Sequence, residues 1–409
     1  MTSRTGAAID LGTRFLRVAT ARGVRPVPVR EGSAAEVARV ATAAADGPES
    51  LCVAVPDDWI SGDRAGAGRL EDARHACEDV ARLGRVRWTG QLAAICAYAS
   101  ATAGPGRYLV CDAGASGVRA GAFTLADGTI RIEATRVEAD GGWAEFDAAV
   151  RAGLPASQGE ALPATWHREA QAASGERAWA VLQEALATGD ADSLDARVYR
   201  IAGAGGDITL TARIIIDAFA ETGRGIAAAI ASVSGASRAG PGHVVIGGGM
   251  GWLPLVARAV ALAAGLGAAP GGEETMPGEN IVVVGPDAAA LGALGVARDE
   301  IRLAPPAGLH AVSVPVHRVL DGQLQEVSVT LPWSEPFASF PGGALTVDNE
   351  ELRVTVGGQP RVALLAGLLP GLYEVGLRPT WPGPGLLVVR PAHGDGAPRI
   401  VALADLAAR

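Results

Sequence analysis

The chain has 409 residues, 49% of them hydrophobic, and a formal charge of -9; that is ample for a packed core and, at roughly 100 to 200 residues per domain, for two or three domains. All 35 fixed cations are arginines, which excludes a P-loop lysine, a Schiff-base lysine and lysine-assisted phosphoryl transfer, because guanidinium neither deprotonates nor imitates a point ammonium. The acidic balance, pI 5.3, argues against a nucleic-acid partner, and no apolar run approaches the roughly 18 residues of a membrane helix.

The amino terminus, Met-Thr-Ser-Arg-Thr-Gly, runs directly into a strand pattern and leaves no room for a signal peptide. Short apolar runs at Ala7 to Leu11, Leu51 to Val55, Tyr108 to Cys111, Val244 to Ile246 and Ile281 to Val284 are each followed by Gly or Pro and then by Ala-rich helical stretches. This alternation predicts α/β layers with buried strands. Cys52, Cys77, Cys96 and Cys111 lie in apolar runs without metal-site spacing, so they read as core thiols of a reducing cytoplasm. After Ile301, Pro305-Pro306 marks a linker. Beyond it, strand-like runs recur from Ala311 to Leu403, separated by Gly, Pro and Asp, and predict a small β-sandwich.

Two turns carry candidate chemistry. Asp10-Leu11-Gly12-Thr13-Arg14 follows the first strand, and Asp112-Ala113-Gly114-Ala115-Ser116-Gly117 follows Tyr108 to Cys111; each is succeeded by another β-rich run. An aspartate at a strand end suits a hydrated metal, and backbone amides at a tight glycine turn suit phosphates. Two such hairpins about 100 residues apart suggest two related halves. A third glycine turn, Gly247 to Pro254 with Gly248, Gly249 and Trp252, follows Val244 to Ile246 and suits close approach to a ligand.

The order of these motifs resembles the actin-like ATPase superfamily, and in detail the nucleotide-binding domain of the seventy-kilodalton heat-shock chaperones. The resemblance covers roughly residues 6 to 298. It extends to Val53-Ala54-Val55-Pro56, to a connecting helix around Ala93 to Tyr98, to a glycine hairpin at Gly141-Gly142, to an adenosine-contacting helix over Gly175 to Gln183, and to Pro286-Asp287 before the last helix. It implies a two-lobed, ribonuclease H-like α/β fold over 1–302, with lobes of about 1–105 and 106–302, and a β-sandwich over 303–409 in the place of a substrate-binding domain. It further implies ATP or ADP with Mg2+, the metal held through water by Asp10 and Asp112. Nucleotide contacts would fall on Gly12, Thr13, Arg14, Gly114, Ala115, Ser116, Gly141, Gly142, Glu176, Trp179, Gln183, Gly248, Gly249, Trp252 and Asp287.

The departures are as informative. Only about 30 residues separate Ala19 from Leu51, too few for the family's inserted subdomain, and its water-positioning lysine has no counterpart. The glutamate expected at the start of the connecting helix falls near Gly90 or Gln91; Gln91 reads either as a water-orienting amide or as a solvated loop residue. Arg14 and Gly117 replace two threonines of the phosphate loops. Since water activation and charge neutralisation supply most of such catalysis, nucleotide binding is expected to exceed turnover. Trp179 and Trp252 would either stack on adenine or fill its pocket. The readings that follow are an ATP-bound conformational switch acting on a protein partner through the β domain, or a non-enzymatic scaffold. A small-molecule kinase and a filament-forming actin relative also share the superfamily fold. The family's helical lid is not seen before Arg409, which points to a specialised partner rather than general client trapping.

Overall fold

The computed structural model describes residues 6–11, 15–28, 50–60, 69–70, 73, 86–138, 140–203, 205–234, 241–266, 281–304, 311–331, 345–347, 350–365, 367–378, 385–393 and 398–408. Two compact units divide the chain: residues 1–91 together with 293–409, and residues 92–292.

The first unit opens with β1 (Gly6–Leu11), β2 (Phe15–Thr20), β3 (Gly23–Pro28), β4 (Ser50–Val55), the short helix α1 (Asp57–Ile60) and β5 (Val86–Gly90). The strands form one sheet in the order β3-β2-β1-β4-β5. β1 pairs antiparallel with β2 and parallel with β4, β2 antiparallel with β3, and β4 parallel with β5. Every residue of β1 and of β4 is buried, as expected of central parallel strands covered on both faces.

Helix α2 (Gln91–Ala103) follows β5, and the second sheet is built from β6 (Gly106–Ala113), β7 (Val118–Ala126) and β8 (Thr129–Glu138). Next come α3 (Trp143–Ala152), α4 (Ala156–Ala161), α5 (Trp166–Ala173), α6 (Glu176–Thr188) and α7 (Ala191–Asp195). The hairpin β9 (Arg197–Gly203) and β10 (Gly206–Thr211) leads into the long helix α8 (Ala212–Ser234), then β11 (His243–Gly247), α9 (Pro254–Ala263), β12 (Ile281–Val283) and α10 (Ala288–Ala297). Within the second unit the strand order is β12-β11-β6-β7-β8. Here β6 pairs antiparallel with β7 and parallel with β11, β7 antiparallel with β8, and β11 parallel with β12. Ile215, Phe219, Ile226, Ile230 and Val233 line the buried face of α8 at helical spacing.

The two sheets therefore repeat one topology. Each has its first strand in the middle, the second and third antiparallel on one side, and the fourth and fifth parallel on the other. This is the ribonuclease H-like order, and its duplication is the actin-like ATPase fold expected from the motif order.

A two-residue strand, β13 (Arg302–Leu303), precedes the C-terminal β domain. That domain comprises β14 (Val312–Leu320), β15 (Gln323–Leu331), β16 (Leu345–Val347), β17 (Glu351–Val356), β18 (Gln359–Leu364), β19 (Gly371–Arg378), β20 (Leu386–Pro391), β21 (Arg399–Ala402) and β22 (Ala407–Ala408). Two sheets, β15-β14-β17-β18-β22 and β16-β19-β20-β21, enclose one core. Val314, Leu352 and Ala363 of the first meet Val375, Leu377 and Val389 of the second, which is the predicted sandwich. Leu364, Leu369 and Leu372 point outward instead, at 65%, 77% and 49% exposure. Arg378, fully buried at the end of β19, donates from Nη2 to the Trp59 carbonyl of α1 at 3.3 Å. Pro305-Pro306, Trp333, Trp381 and Cys77 lie outside the described residues.

Candidate functional site

In the first unit Asp10 lies on β1 opposite Arg17 of β2 and is 3% exposed. Arg17 donates from Nη1 to Asp10 Oδ2 at 3.5 Å, and Gln91 donates from Nε2 to Oδ1 at 2.6 Å. Gln91 is the first residue of α2 and is buried, so it is not a solvated loop residue. Its position depends on Gly90: a Cβ there would overlap the Asp57 carboxylate and lie 2.8 Å from Ile60 Cδ1. Gly12, Thr13 and Arg14 lie outside the described residues.

The second unit repeats the pairing. Asp112 on β6 lies opposite Arg119 on β7, and Arg119 donates from Nη1 to Asp112 Oδ2 at 3.5 Å and from Nη2 to Ser116 Oγ at 3.2 Å. The glycine turn between the strands closes on itself through Gly114 N–H to Gly117 C=O at 3.0 Å. Its carbonyls also serve the start of α3: Trp143 N–H donates to Gly114 C=O at 3.0 Å and Ala144 N–H to Ala115 C=O at 3.3 Å. Gly142 N–H in turn donates to Glu145 Oε2 at 2.7 Å. The amides at the start of this helix are thus satisfied by the protein. Gly141 has φ +82, and a Cβ at Gly142 would overlap the Gly117 amide. Gly142 serves the approach of one loop to another, and Gly141 the approach to α8, where a Cβ would lie 2.9 Å from Thr222 Cα.

The same holds for the third turn. Gly248 has φ +88, and a Cβ there would overlap the Ala113 carbonyl and the Asp112 carboxylate; Met250 N–H donates to Ala113 C=O at 3.1 Å. Gly249 is exposed with open space around it. Trp252 packs edge-on against Tyr199, ring centroids 6.1 Å apart, and its carbonyl accepts from Ser174 Oγ at 3.2 Å. Its indole N–H is buried without a hydrogen-bond acceptor. On α6, Trp179 is buried, Glu176 exposed and Gln183 half-buried. The Asp287 carbonyl accepts from Leu291 N–H at 2.9 Å at the start of α10. His167 packs against Trp143 with ring centroids 5.1 Å apart.

Asp10 and Asp112 do not fit a hydrated divalent cation. A dication approaching either carboxylate meets a guanidinium already 3.5 Å from one of its oxygens, and like charges at that range repel. Among the described residues no group of three or more His, Cys, Asp or Glu side chains converges in a way that could hold a metal. The adenosine side is more permissive, since Trp252 is only partly buried and keeps one donor unused. A separate cavity of about 420 Å³ lies along α8 and α9, lined by Leu186, Phe219, Leu255, Arg258 and Leu262 among others; none of the residues expected to contact nucleotide lines it.

Reading the motifs alone does not single out Arg17 and Arg119. The signal was nonetheless present: Asp10 to Arg17 and Asp112 to Arg119 both follow Asp-x-Gly-x-x-x-x-Arg. With the arginine in register opposite the aspartate across a hairpin, that spacing places the two charges side by side.

No protein-family model matches the chain, and no curated protein is found similar to it in sequence. Among solved structures, it is similar to a ROK family protein from Streptococcus pneumoniae TIGR4 in complex with sucrose, at 15% identity and a TM-score of 0.39, over 71% of this chain and 96% of that one. The fold assignment rests on the repeated strand order, not on that likeness.

Proposed function

We propose that the chain is a non-hydrolysing relative of the actin-like ATPases, a pseudo-ATPase frame that carries the C-terminal β domain as its protein-contact module. The observation that supports this reading is the 2.6 Å hydrogen bond from Gln91 to buried Asp10. Gln91 stands where the resemblance expects a glutamate; it donates one amide N–H to the Asp10 carboxylate, and an amide, unlike a carboxylate, cannot take a proton from water as a general base. With no lysine anywhere in the chain, the usual means of activating water are lacking. The outward Leu364, Leu369 and Leu372 give the β domain apolar surface suited to a protein partner. Phosphate release from ATP with Mg2+ should stay at the level of buffer; turnover that disappears in Asp10→Asn would show the reading wrong.

A second reading, a chaperone-like switch that binds ATP or ADP without hydrolysing it, is favoured by Trp252. A buried indole N–H without an acceptor is costly and gains one if a nucleotide sits against it. Titration with ATP under tryptophan fluorescence separates the two. A saturable change that is lost in Trp252→Phe supports the switch, whereas a flat response supports the frame.

A further inference from the structure

One cross-strand ion pair is an ordinary feature of a hairpin. This chain builds the same one twice, at the equivalent position of two sheets with the same strand order. In each, an aspartate on the first strand lies opposite an arginine on the second, and Nη1 stands 3.5 Å from Oδ2. Both carboxylates are buried, at 3% and 7% exposure, so each requires a compensating charge inside the protein. The pairs are independent in the chain, since Arg17 and Asp10 belong to one compact unit and Arg119 and Asp112 to the other.

We propose that Arg17 and Arg119 occupy the electrostatic place of a divalent cation, so that each half is charge-balanced without metal. This rests on the non-hydrolysing reading above and adds the ligand class: any adenine nucleotide the chain takes, it takes metal-free. A guanidinium suits the task. It is permanently charged, planar and covalently held, so it neutralises the carboxylate without exchanging with solvent. It supplies one positive charge per aspartate, and that charge opposes a dication at the same oxygen.

Paramagnetic resonance of Mn2+ titrated with the full chain tests this without any variant. The free-ion signal should stay undiminished by protein alone, and with ATP it should fall no further than ATP itself lowers it. Stoichiometric uptake of Mn2+ by the protein, lost in Asp10→Asn or Asp112→Asn, overturns the proposal. Arg17→Met and Arg119→Met take away the guanidinium beside a buried carboxylate, so each should melt about 5 °C lower. Millimolar Mg2+ should recover part of that loss while the wild-type melting temperature ignores the ion. No recovery, or a wild-type rise with Mg2+, overturns it too. If a methionine variant fails to fold, Arg17→Lys and Arg119→Lys keep the charge and should remain indifferent to Mg2+; a Mg2+-dependent rise in their melting temperature overturns the proposal. ATP turnover would defeat the non-hydrolysing reading whatever Mn2+ does, whereas Mn2+ uptake without turnover defeats this inference alone.

Discussion

Gly248 and Gly249 stand side by side in one glycine turn, yet they do different things. Gly248 adopts φ +88 and would drive a Cβ into the Ala113 carbonyl and the Asp112 carboxylate, while a Cβ at Gly249 meets nothing within 4 Å. Gly248→Ala combines a left-handed backbone with overpacking against main chain and should destabilise the protein by about 2–4 kcal/mol. Gly249→Ala should stay within about 0.5 kcal/mol. Denaturant melts of the two variants check the contrast, and equal effects would mean that the turn does not hold Asp112 as described. At this scale the glycine turns are legible in the sequence, while their neighbours within the protein are not. Glycine reports close approach, not the identity of what comes close. Here the neighbours are the protein's own strand end and loop, at Gly248 as at Gly142.

Elements were legible to the extent that they are buried on both faces. β1, β4, β6 and β11 read as continuous apolar runs because their residues are almost all buried. β3 and β9 are not legible for the opposite reason. β3 carries two prolines and an arginine, GVRPVP, a composition that matches an edge strand more than a central one. β9 shows a broken, partly exposed pattern, RVYRIAG. β5 was obscured by its sequence, VRWTG, which mixes charge with apolar residues; Arg87 in it donates to the Val296 carbonyl and pairs with Asp299. Gln91 is the instructive residue here. After a loop it would be solvated; as the first residue of a helix after a buried strand end, its side chain is turned onto Asp10. Recognising β5 would have placed it correctly. The two arginines needed one further step, the strand register, which turns a seven-residue separation in sequence into a directly opposed pair.

Across the whole chain, buried thiols set a limit on alkaline stability. Burial raises Cys52 from 9.0 to about 12, against an opposing pull from the Arg87 guanidinium. Burial also pushes Cys96 and Cys111 up, with the Asp112 charge adding to the effect at Cys111. In each case the folded protein holds its proton more tightly than the unfolded chain. The resulting stabilisation is complete below pH 9 and disappears as the pH climbs toward 12 and beyond. Three such thiols together cost about 4 kcal/mol per pH unit over that range, against a total stability of about 5–15 kcal/mol for a typical protein. Cooperative loss of circular dichroism is therefore expected near pH 11. Cys96, Cys111 and Tyr108, the last raised to about 12 by burial and the nearby Cys96, all belong to residues 92–292, so that unit should yield first. Cys111→Ala should move the midpoint upward, and absorbance at 240 nm should show no thiolate at these positions before structure is lost. A thiolate forming at Cys52, Cys96 or Cys111 near pH 9 in the folded protein would contradict the burial of that strand or helix, and with it the packing that places Asp10 and Asp112 opposite their arginines.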